Sequence, residues 1–185
     1  ILLEGTWEDY LASRDRKARH EIVRQLRRAD EHPRLEFVRH RPAPRSEGDG
    51  DPAWDLYDEA VRVASASWQA GAEVGNTLCH PRVAEFYRDC HRAAAHLGMV
   101  DLALLRLGGD PAAFLYSYHH AGRVFGMRMG FDPNVGRSGV GMQLLLMLIR
   151  DSLGRGDLSF EMGPGDQRYK HRLRTHVETT SRLVH

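Results

Sequence analysis

The chain has few of the features that would cross-link it or anchor it in a membrane. It contains two cysteines, Cys79 and Cys90, in 185 residues, which is too few for a disulfide framework, so a reduced, cytoplasmic location is expected. No run of about 18 apolar residues is present, which predicts no membrane span, and no secretory signal peptide is visible. The first residue is Ile1 rather than methionine, which is typical of a fragment or a processed product and leaves open whether an upstream domain precedes it.

The chain also lacks a strong net charge, a metal-binding pattern and internal repeats. Its formal charge is +1, so global electrostatics indicate no partner. The Cys-His pairs that begin at Cys79 and Cys90 match no common zinc spacing, which favours core cysteines and predicts no metal. The chain is 42% hydrophobic, enough for a real core.

One segment is nevertheless strongly basic. Seven cations oppose Asp15 and Glu21 between Arg14 and Arg28. Such a run is most often the solvated face of a helix. The alternative is a surface for an anionic substrate or for the phosphates of tRNA, although the aromatic residues typical of nucleic-acid stacking are scarce there.

The first half of the chain reads as helical. We expect a helix over 7–31 with Thr6 or Asp9 as its cap, which Pro33 ends. A short strand over 35–39 and a loop over 41–50 follow. Asp51-Pro52 predicts the start of a helix that runs to about residue 69, and Pro81 opens another that ends at Gly98.

The second half changes to strands. Turn signals at 108–110 and 120–122 separate strand-like runs over 99–107, 112–118 and 123–131, which indicates an antiparallel meander. A buried helix over 141–153, a strand over 158–162, a short helix over 166–174 and a strand over 176–183 come next. The order predicts a mixed α/β fold, with one mostly antiparallel sheet and helices on both faces. Residues 1–50 would be part of this domain or a linker to it, and residues 51–185 the domain proper.

A glycine-rich loop precedes the most apolar helix. The first turn of a helix presents free backbone N–H groups at its positive end, where phosphate binds readily. An ordinary flexible loop is the alternative. The residues expected to hold a phosphate-bearing donor are Gly136, Arg137, Ser138, Gly139, Val140, Gly141 and Met142.

Three ionisable residues lie on the next strand or shortly after it: Glu161 on the strand, and Tyr169 and Lys170 after it. Glu161 is either a general base for an attacking amine or the ion-pair partner of Arg168 or Arg172. Tyr169 is either a proton donor or a packed tyrosine. Lys170 either neutralises phosphate or developing charge, or is simply solvated. Asp166 is favoured as the N-cap of the following helix, and the pair His119 and His120 is expected at the surface.

The strand order and the loop resemble the GNAT acyltransferase fold, in which three antiparallel strands lead through a pyrophosphate-binding loop into a central helix. The usual loop pattern is Gln/Arg-x-x-Gly-x-Gly/Ala. The sequence 136–141 reads Gly-Arg-Ser-Gly-Val-Gly, with glycine at the first position. The Gly-Phe-Asp-Pro segment at 130–133 and the Gly-Asp and Tyr-Lys pairs at 165–166 and 169–170 are similar to the CelD-like branch, which is related to the Fem-type aminoacyltransferases.

This resemblance implies a function. It implies direct acyl transfer from acyl-CoA to an amine, with no covalent enzyme intermediate. The thioester carbonyl would be held by the backbone of Met129 or Gly130, and Tyr169 would protonate the departing thiolate. The acceptor would be polar, such as a sugar amine or a cell-envelope or polysaccharide precursor. Two alternatives stay open: a Fem-like transferase that uses aminoacyl-tRNA, and a non-catalytic binding module of the same fold.

Overall fold

The computed structural model describes residues 1–71, 77–136, 139–179 and 181. Five strands form one sheet in the order β1-β2-β3-β4-β5, and every neighbouring pair is antiparallel except β4 and β5. The strands are β1 (Leu35–His40), β2 (Val100–Leu107), β3 (Asp110–His120), β4 (Arg123–Phe131) and β5 (Ser159–Glu161). The predicted mixed α/β sheet and its three-stranded meander are therefore confirmed. The helices are α1 (Trp7–Ala12), α2 (Arg16–Asp30), α3 (Trp54–Ala66), α4 (Ala84–His96), α5 (Val140–Arg155) and α6 (Arg168–Leu173).

The single amino-terminal helix predicted over 7–31 is wrong, because two capping signals divide it. Thr6 and Asp9 cap each other reciprocally at the start of α1, which is a capping box. Asp15 then begins α2 by accepting hydrogen bonds from the N–H groups of Lys17 and Ala18. Between them, the Ser13 hydroxyl donates to the carbonyl of Tyr10, a local bond that competes with helix continuation.

The predicted N-caps of two further helices, α3 and α6, also differ from those in the structure. The N-cap of α3 is Ala53 at φ 45°, and Asp51 instead accepts the Ala53 N–H at 2.8 Å. The N-cap of α6 is Gln167, while Asp166 lies 2.5 Å from the imidazole of His171. The predicted last strand is absent from its described residues, 176–179 and 181, and the rest of it lies outside the described part of the chain.

Two cores cover the two faces of the sheet. On the first face, α1, α2 and α5 pack on strand residues such as Leu105 and Leu115; on the second, α3 and α4 pack on residues such as Leu104 and Phe114. Helix α5 is apolar on most of its surface, and its Leu144 and Leu148 are fully buried. Each such leucine contributes about 1.5–3 kcal/mol to folding, so the sheet fixes α5 firmly.

The amino-terminal residues continue the sheet past β5. Leu3 donates to the carbonyl of Leu158 at 2.9 Å, and Phe160 donates to that of Ile1 at 2.8 Å. Since β1 pairs with β2 and α2 packs on α5, residues 1–50 contribute to the same sheet and to the same helical layer as the residues that follow them.

Candidate active site

The strands β4 and β5 separate after a very short pairing. They are paired only from Arg123–Ser159 to Phe125–Glu161, while β4 continues to Phe131. Gly126 lies where the strands begin to part, and a Cβ there would approach the carbonyl oxygen of Glu161 to 2.9 Å. Glycine thus allows a close approach just before the strands diverge. We call the space beyond this point the β4–β5 gap.

A bulge turns β4 at the start of this gap. The register of β3 with β4 shifts between Tyr116 and Ser117, so Met127 is the additional residue on β4. Bulges of this kind bend a strand and increase its twist. The bend takes the later part of β4 away from β5.

Beyond the bulge, alternation along the strand decides which amides face the gap. The N–H of Asp132 donates to the carbonyl of Ala112 on the β3 side at 2.9 Å. Amides alternate in direction along an antiparallel ladder, so the N–H of Gly130 faces β3 and that of Met129 faces the gap. Of the two residues predicted to hold a carbonyl oxygen, Met129 therefore presents its N–H to the gap, and Gly130 presents its N–H to β3. The Met129 carbonyl accepts from Gln69 Nε2 at 3.2 Å.

A cavity of about 460 Å³ occupies the gap and reaches both faces of the sheet. Leu145, Phe160 and Tyr169 line it, and all three belong to or pack against the core of the first face. Trp68 and Thr77, on the segment that follows α3, line it as well. Its volume is within the usual range for small-molecule sites.

Tyr169 lies in the wall of this cavity and is half-buried. Burial raises the pKa of its phenol above the ordinary value, so the hydroxyl keeps its proton at neutral pH. Within the described part of the chain, no hydrogen bond occupies that hydroxyl. The phenol therefore carries a proton that it can donate in a hydrogen bond.

Lys170 is not simply solvated, which was one of the two alternatives expected for it. Its side chain is buried, and Nζ donates to the carbonyls of Gly163 at 2.9 Å and Pro164 at 2.7 Å. Burial lowers the pKa of this ammonium below its ordinary value. Lys170 thus clamps the turn after β5, and this turn forms one wall of the cavity.

Glu161 lies on the other face of the sheet from Phe160, as alternation along a strand requires. It pairs with Phe125, which pairs with Tyr118, a residue packed against the core of the second face. Its carboxylate accepts a hydrogen bond from Ser159 Oγ at 3.2 Å. Among the described ion pairs none joins it to Arg168 or Arg172. Glu161 is not part of the cavity wall that contains Tyr169 and Lys170.

The start of α5 partly matches the predicted phosphate loop. Gly139 is the N-cap at φ 104°, a backbone conformation that favours glycine, and no side chain caps the helix. The helix begins at Val140, one residue earlier than predicted. Its first helical hydrogen bond runs from the Gln143 N–H to the Gly139 carbonyl at 2.9 Å, so the N–H groups before Gln143 have no partner within the helix. The predicted residues Arg137 and Ser138 lie outside the described residues.

The surroundings of this loop are tighter than the sequence indicated. Val140 and Gly141 are buried, Met142 is half-buried, and none of the described residues of the loop lines the 460 Å³ cavity. Gly136 donates to the carbonyl of Asp132 at 2.8 Å within a turn. The phosphate-binding role of the loop stays a prediction.

Sequence reasoning missed a buried ionic network at the far end of α5. The carboxylate of Asp101, fully buried, accepts from Arg39 at 2.8 and 2.7 Å and from Arg41 at 2.9 Å. Arg39 also donates to Asp151 on α5 at 2.8 Å, and Arg41 donates to Asp157 just before β5 at 2.9 and 2.6 Å. Burial alone would raise the pKa of Asp157, but the bonds from Arg41 and Ser152 outweigh it and hold that pKa below its usual range. The network fixes the end of α5 and the start of β5 to the sheet.

The network also corrects the expectation for one histidine. His120 is exposed as predicted, whereas His119 Nε2 is buried and lies 3.3 Å from the carboxylate of Asp157. The sequence carries no signal for these contacts, because each joins residues that are far apart in the chain.

The described helices include none long and apolar enough to cross a membrane. The family model described as "Acetyltransferase (GNAT) domain" matches residues 16–171. The chain therefore belongs to the GNAT acetyltransferase family, and the expectation of a GNAT-type acyltransferase is confirmed. No curated protein matches the sequence.

Solved structures support the same fold. One is the C-terminal domain of a protein assigned as a lysylphosphatidylglycerol synthetase from Agrobacterium fabrum, at 16% identity and a TM-score of 0.52, covering 83% of this chain and 44% of that one. This chain thus spans less than half of that relative. Another is an aminoglycoside acetyltransferase from an uncultured soil metagenomic sample in complex with trehalose, at 12% identity and a TM-score of 0.52, covering 82% and 95%. At these identities the likeness concerns the fold.

Proposed function

We propose that this chain transfers an acyl group from acyl-CoA to the amine of a polar acceptor. The observation that carries the proposal is the β4–β5 gap, where a cavity of about 460 Å³ meets an inward-facing backbone N–H at Met129 and the phenol of Tyr169. The donor thioester would lie in the gap, and its pyrophosphate would contact the uncapped start of α5.

The residues divide the chemistry between the two faces of the sheet. Met129 N–H donates to the thioester oxygen and stabilises its negative charge as the amine attacks the carbonyl carbon. The carbon–sulfur bond then breaks, and Tyr169 protonates the departing thiolate. Glu161, on the face of α3 and α4, accepts the proton that the new amide nitrogen loses, directly or through water. The acceptor therefore enters from that second face, and the donor from the face of α5.

Lys170 affects this reaction indirectly, because it positions the turn that precedes Tyr169. By holding the carbonyls of Gly163 and Pro164, it fixes the turn from which α6 carries Tyr169. We therefore reassign it from direct charge neutralisation to positioning.

The nature of the acceptor rests on weaker support. The resemblance to the CelD-like branch favours a sugar amine or a cell-envelope or polysaccharide precursor, and one solved structure of similar fold is an aminoglycoside acetyltransferase. Two free cysteines, Cys79 and Cys90, are consistent with a cytoplasmic setting.

The test is thermal denaturation with acetyl-CoA, with longer acyl-CoAs and with free CoA. A donor present at about a hundred times its dissociation constant stabilises the folded state by about 2.7 kcal/mol. We expect a shift with at least one acyl-CoA, and a rate of acyl transfer that Glu161→Gln and Tyr169→Phe each lower by about 10²–10⁴. A shift with no acyl transfer by the wild-type protein would favour a non-catalytic module. Transfer that both variants retain would refute the roles proposed for Glu161 and Tyr169, and no shift with any CoA species would overturn the proposal.

A second candidate, a Fem-like transferase that uses aminoacyl-tRNA, has one observation in its favour. Helix α2 packs on α5 and leaves Arg16, Lys17 and Arg19 exposed. This candidate predicts tRNA binding that weakens steeply with salt. Binding of acyl-CoA with no such tRNA affinity would exclude it.

A further inference from the structure

The β4–β5 gap leaves one side of β4 without a partner strand. Met129 directs both its N–H and its carbonyl towards the gap, because the two backbone groups of one residue point to the same side of a strand. A buried backbone carbonyl normally accepts a hydrogen bond. Here Gln69 supplies it, since its Nε2 donates to the Met129 carbonyl at 3.2 Å. A side-chain amide thus replaces the missing strand at the carbonyl and leaves the N–H facing the cavity.

Gln69 reaches β4 from a point that is fixed on α3. It lies in a turn of 3-10 helix, Trp68–Gly71, that follows α3, and it is only 1% exposed. Its backbone N–H donates to Ser67 Oγ at 3.2 Å, and that hydroxyl donates to the Ala64 carbonyl on α3 at 2.8 Å. Because α3 packs on the second face of the sheet, the sheet itself determines where the amide of Gln69 lies.

The glycine at position 130 makes room for this contact. A Cβ at Gly130 would lie 2.9 Å from Gln69 Nε2 and 3.2 Å from Ser67 Oγ. It would also lie 2.8 Å from the ring of Phe114. These distances are shorter than van der Waals contact, so the Gln69 amide lies directly against the β4 backbone, as a glycine in a strand often permits. Gly130, one of the two residues expected to hold the thioester carbonyl, therefore has a packing role beside Met129.

The Gln69 amide is unfavourable to bury. Its Oε1 is buried and has no hydrogen-bond partner among the residues that the structure describes. An unpaired buried amide oxygen destabilises the folded state, so packing alone would favour an apolar side chain here. The hydrogen bond from Nε2 to the Met129 carbonyl is what an apolar side chain could not supply.

We propose that Gln69 is a positioning residue for acyl transfer, an inference that rests on the proposed function. Its hydrogen bond fixes the Met129 carbonyl. Peptide units are planar and joined at Cα, so the neighbouring unit, which carries the Met129 N–H, is restrained as well. That N–H acts on the thioester oxygen only when it is aimed at the place where negative charge develops. A misplacement of about 1 Å can cost about a hundredfold in rate.

The test measures kcat and KM for acyl-CoA in two variants of the full chain, Gln69→Met and Gln69→Glu, each relative to the wild type at the same pH. Methionine has a similar size and no N–H to donate at any pH, so Gln69→Met is the matched control. The carboxyl introduced by Gln69→Glu also lacks a donor when it is ionised. Once protonated, its O–H can donate to the Met129 carbonyl, and burial raises the pKa at which this occurs.

The two variants should therefore differ in their pH profiles. In Gln69→Met we expect kcat to be lower by about tenfold to a hundredfold at every pH. KM for acyl-CoA should change by less than about threefold, because the lost stabilisation belongs to the transition state. In Gln69→Glu the relative kcat should be equally low at about pH 9 and rise at least about threefold by about pH 6.

A purely structural role predicts a different result. It would lower the midpoint of thermal denaturation in both variants and leave kcat per folded molecule unchanged, which would overturn the proposal. A relative kcat of Gln69→Glu that stays flat as the pH falls would overturn it too, and this profile decides alone if Gln69→Met does not fold. A wild-type protein that transfers no acyl group would refute the proposed function together with this inference, whereas wild-type transfer with unaffected variants would refute the inference alone.

Discussion

A single added methyl group at Gly126 tests the geometry of the gap. The ideal Cβ of Gly126→Ala would lie 2.9 Å from the backbone oxygen of Glu161, whereas ordinary contact begins near 3.4 Å. The ends of β4 and β5 must then separate by about half an ångström, because the obstacle is backbone and not a flexible side chain. Such overpacking costs about 1–3 kcal/mol of folding free energy.

The same shift moves the entrance for the donor. The β4 residues from Gly126 to Met129 line the cavity, so we expect their displacement in Gly126→Ala to weaken acetyl-CoA binding by about tenfold, or about 1.4 kcal/mol. The matched control is Gly154→Ala, an exposed position in α5 where a Cβ meets nothing within 4 Å. That change should stabilise the protein by about 0.5–1 kcal/mol, because alanine is the better helix former.

Urea unfolding and titration with acetyl-CoA measure both quantities on both variants. We expect Gly126→Ala to lower the free energy of unfolding and Gly154→Ala to raise it, and only Gly126→Ala to lose affinity for acetyl-CoA. If the two alanines change stability in the same direction, or if Gly126→Ala binds acetyl-CoA as tightly as the wild type, the proposed close approach of the strands is refuted.

Three further predictions follow from other sites. Tyr169→Phe should lower kcat by about 10²–10⁴. The control Tyr10→Phe removes a hydroxyl that donates to the Leu173 carbonyl at 2.9 Å and should lose only about 1 kcal/mol of stability. Equal kcat values for the two variants in a steady-state assay would refute the role of Tyr169 as an acid. Asp101→Asn should cost about 3 kcal/mol in urea unfolding, because it removes the buried carboxylate that bonds to both Arg39 and Arg41. The control Asp58→Asn, which removes an exposed ion pair with Arg88, should cost less than about 1 kcal/mol. Equal costs would mean that the network does not stabilise the fold. Burial lowers the pKa of His91 from 6.5 to about 4, so as the pH falls the unfolded state binds a proton before the folded state does. The free energy of unfolding should therefore decrease by about 3 kcal/mol between pH 6.5 and pH 4. A His91→Gln variant whose stability has the same pH slope would contradict this.

The sheet and α5 could be predicted from local sequence alone. The three long strands are apolar runs separated by glycine-containing turns, and α5 is a continuous apolar segment bounded by glycines, so periodicity and turn chemistry suffice. The break before α2 was also encoded, since Asp15 is a good N-cap, but the longer helical pattern concealed it.

The contacts that complete the site were not accessible in this way. Arg39 contacts Asp101, which is 62 residues away in the sequence, and Gln69 contacts Met129, which is 60 residues away. No local sequence pattern can predict either contact. The direction of the Met129 N–H depends on the register of β4 with β3. The clamp by Lys170 depends on how the turn after β5 folds back, and this turn is set by tertiary packing.

The most direct test of the account is the backbone amide spectrum of ¹⁵N-labelled protein during titration with a non-reactive acyl-CoA thioether. The thioester-binding model predicts a large downfield proton shift for Met129, whose N–H faces the β4–β5 gap, and little change for Gly130, whose N–H faces β3. A shift at Gly130 alone, or at neither residue when the ligand saturates the protein, would contradict the model.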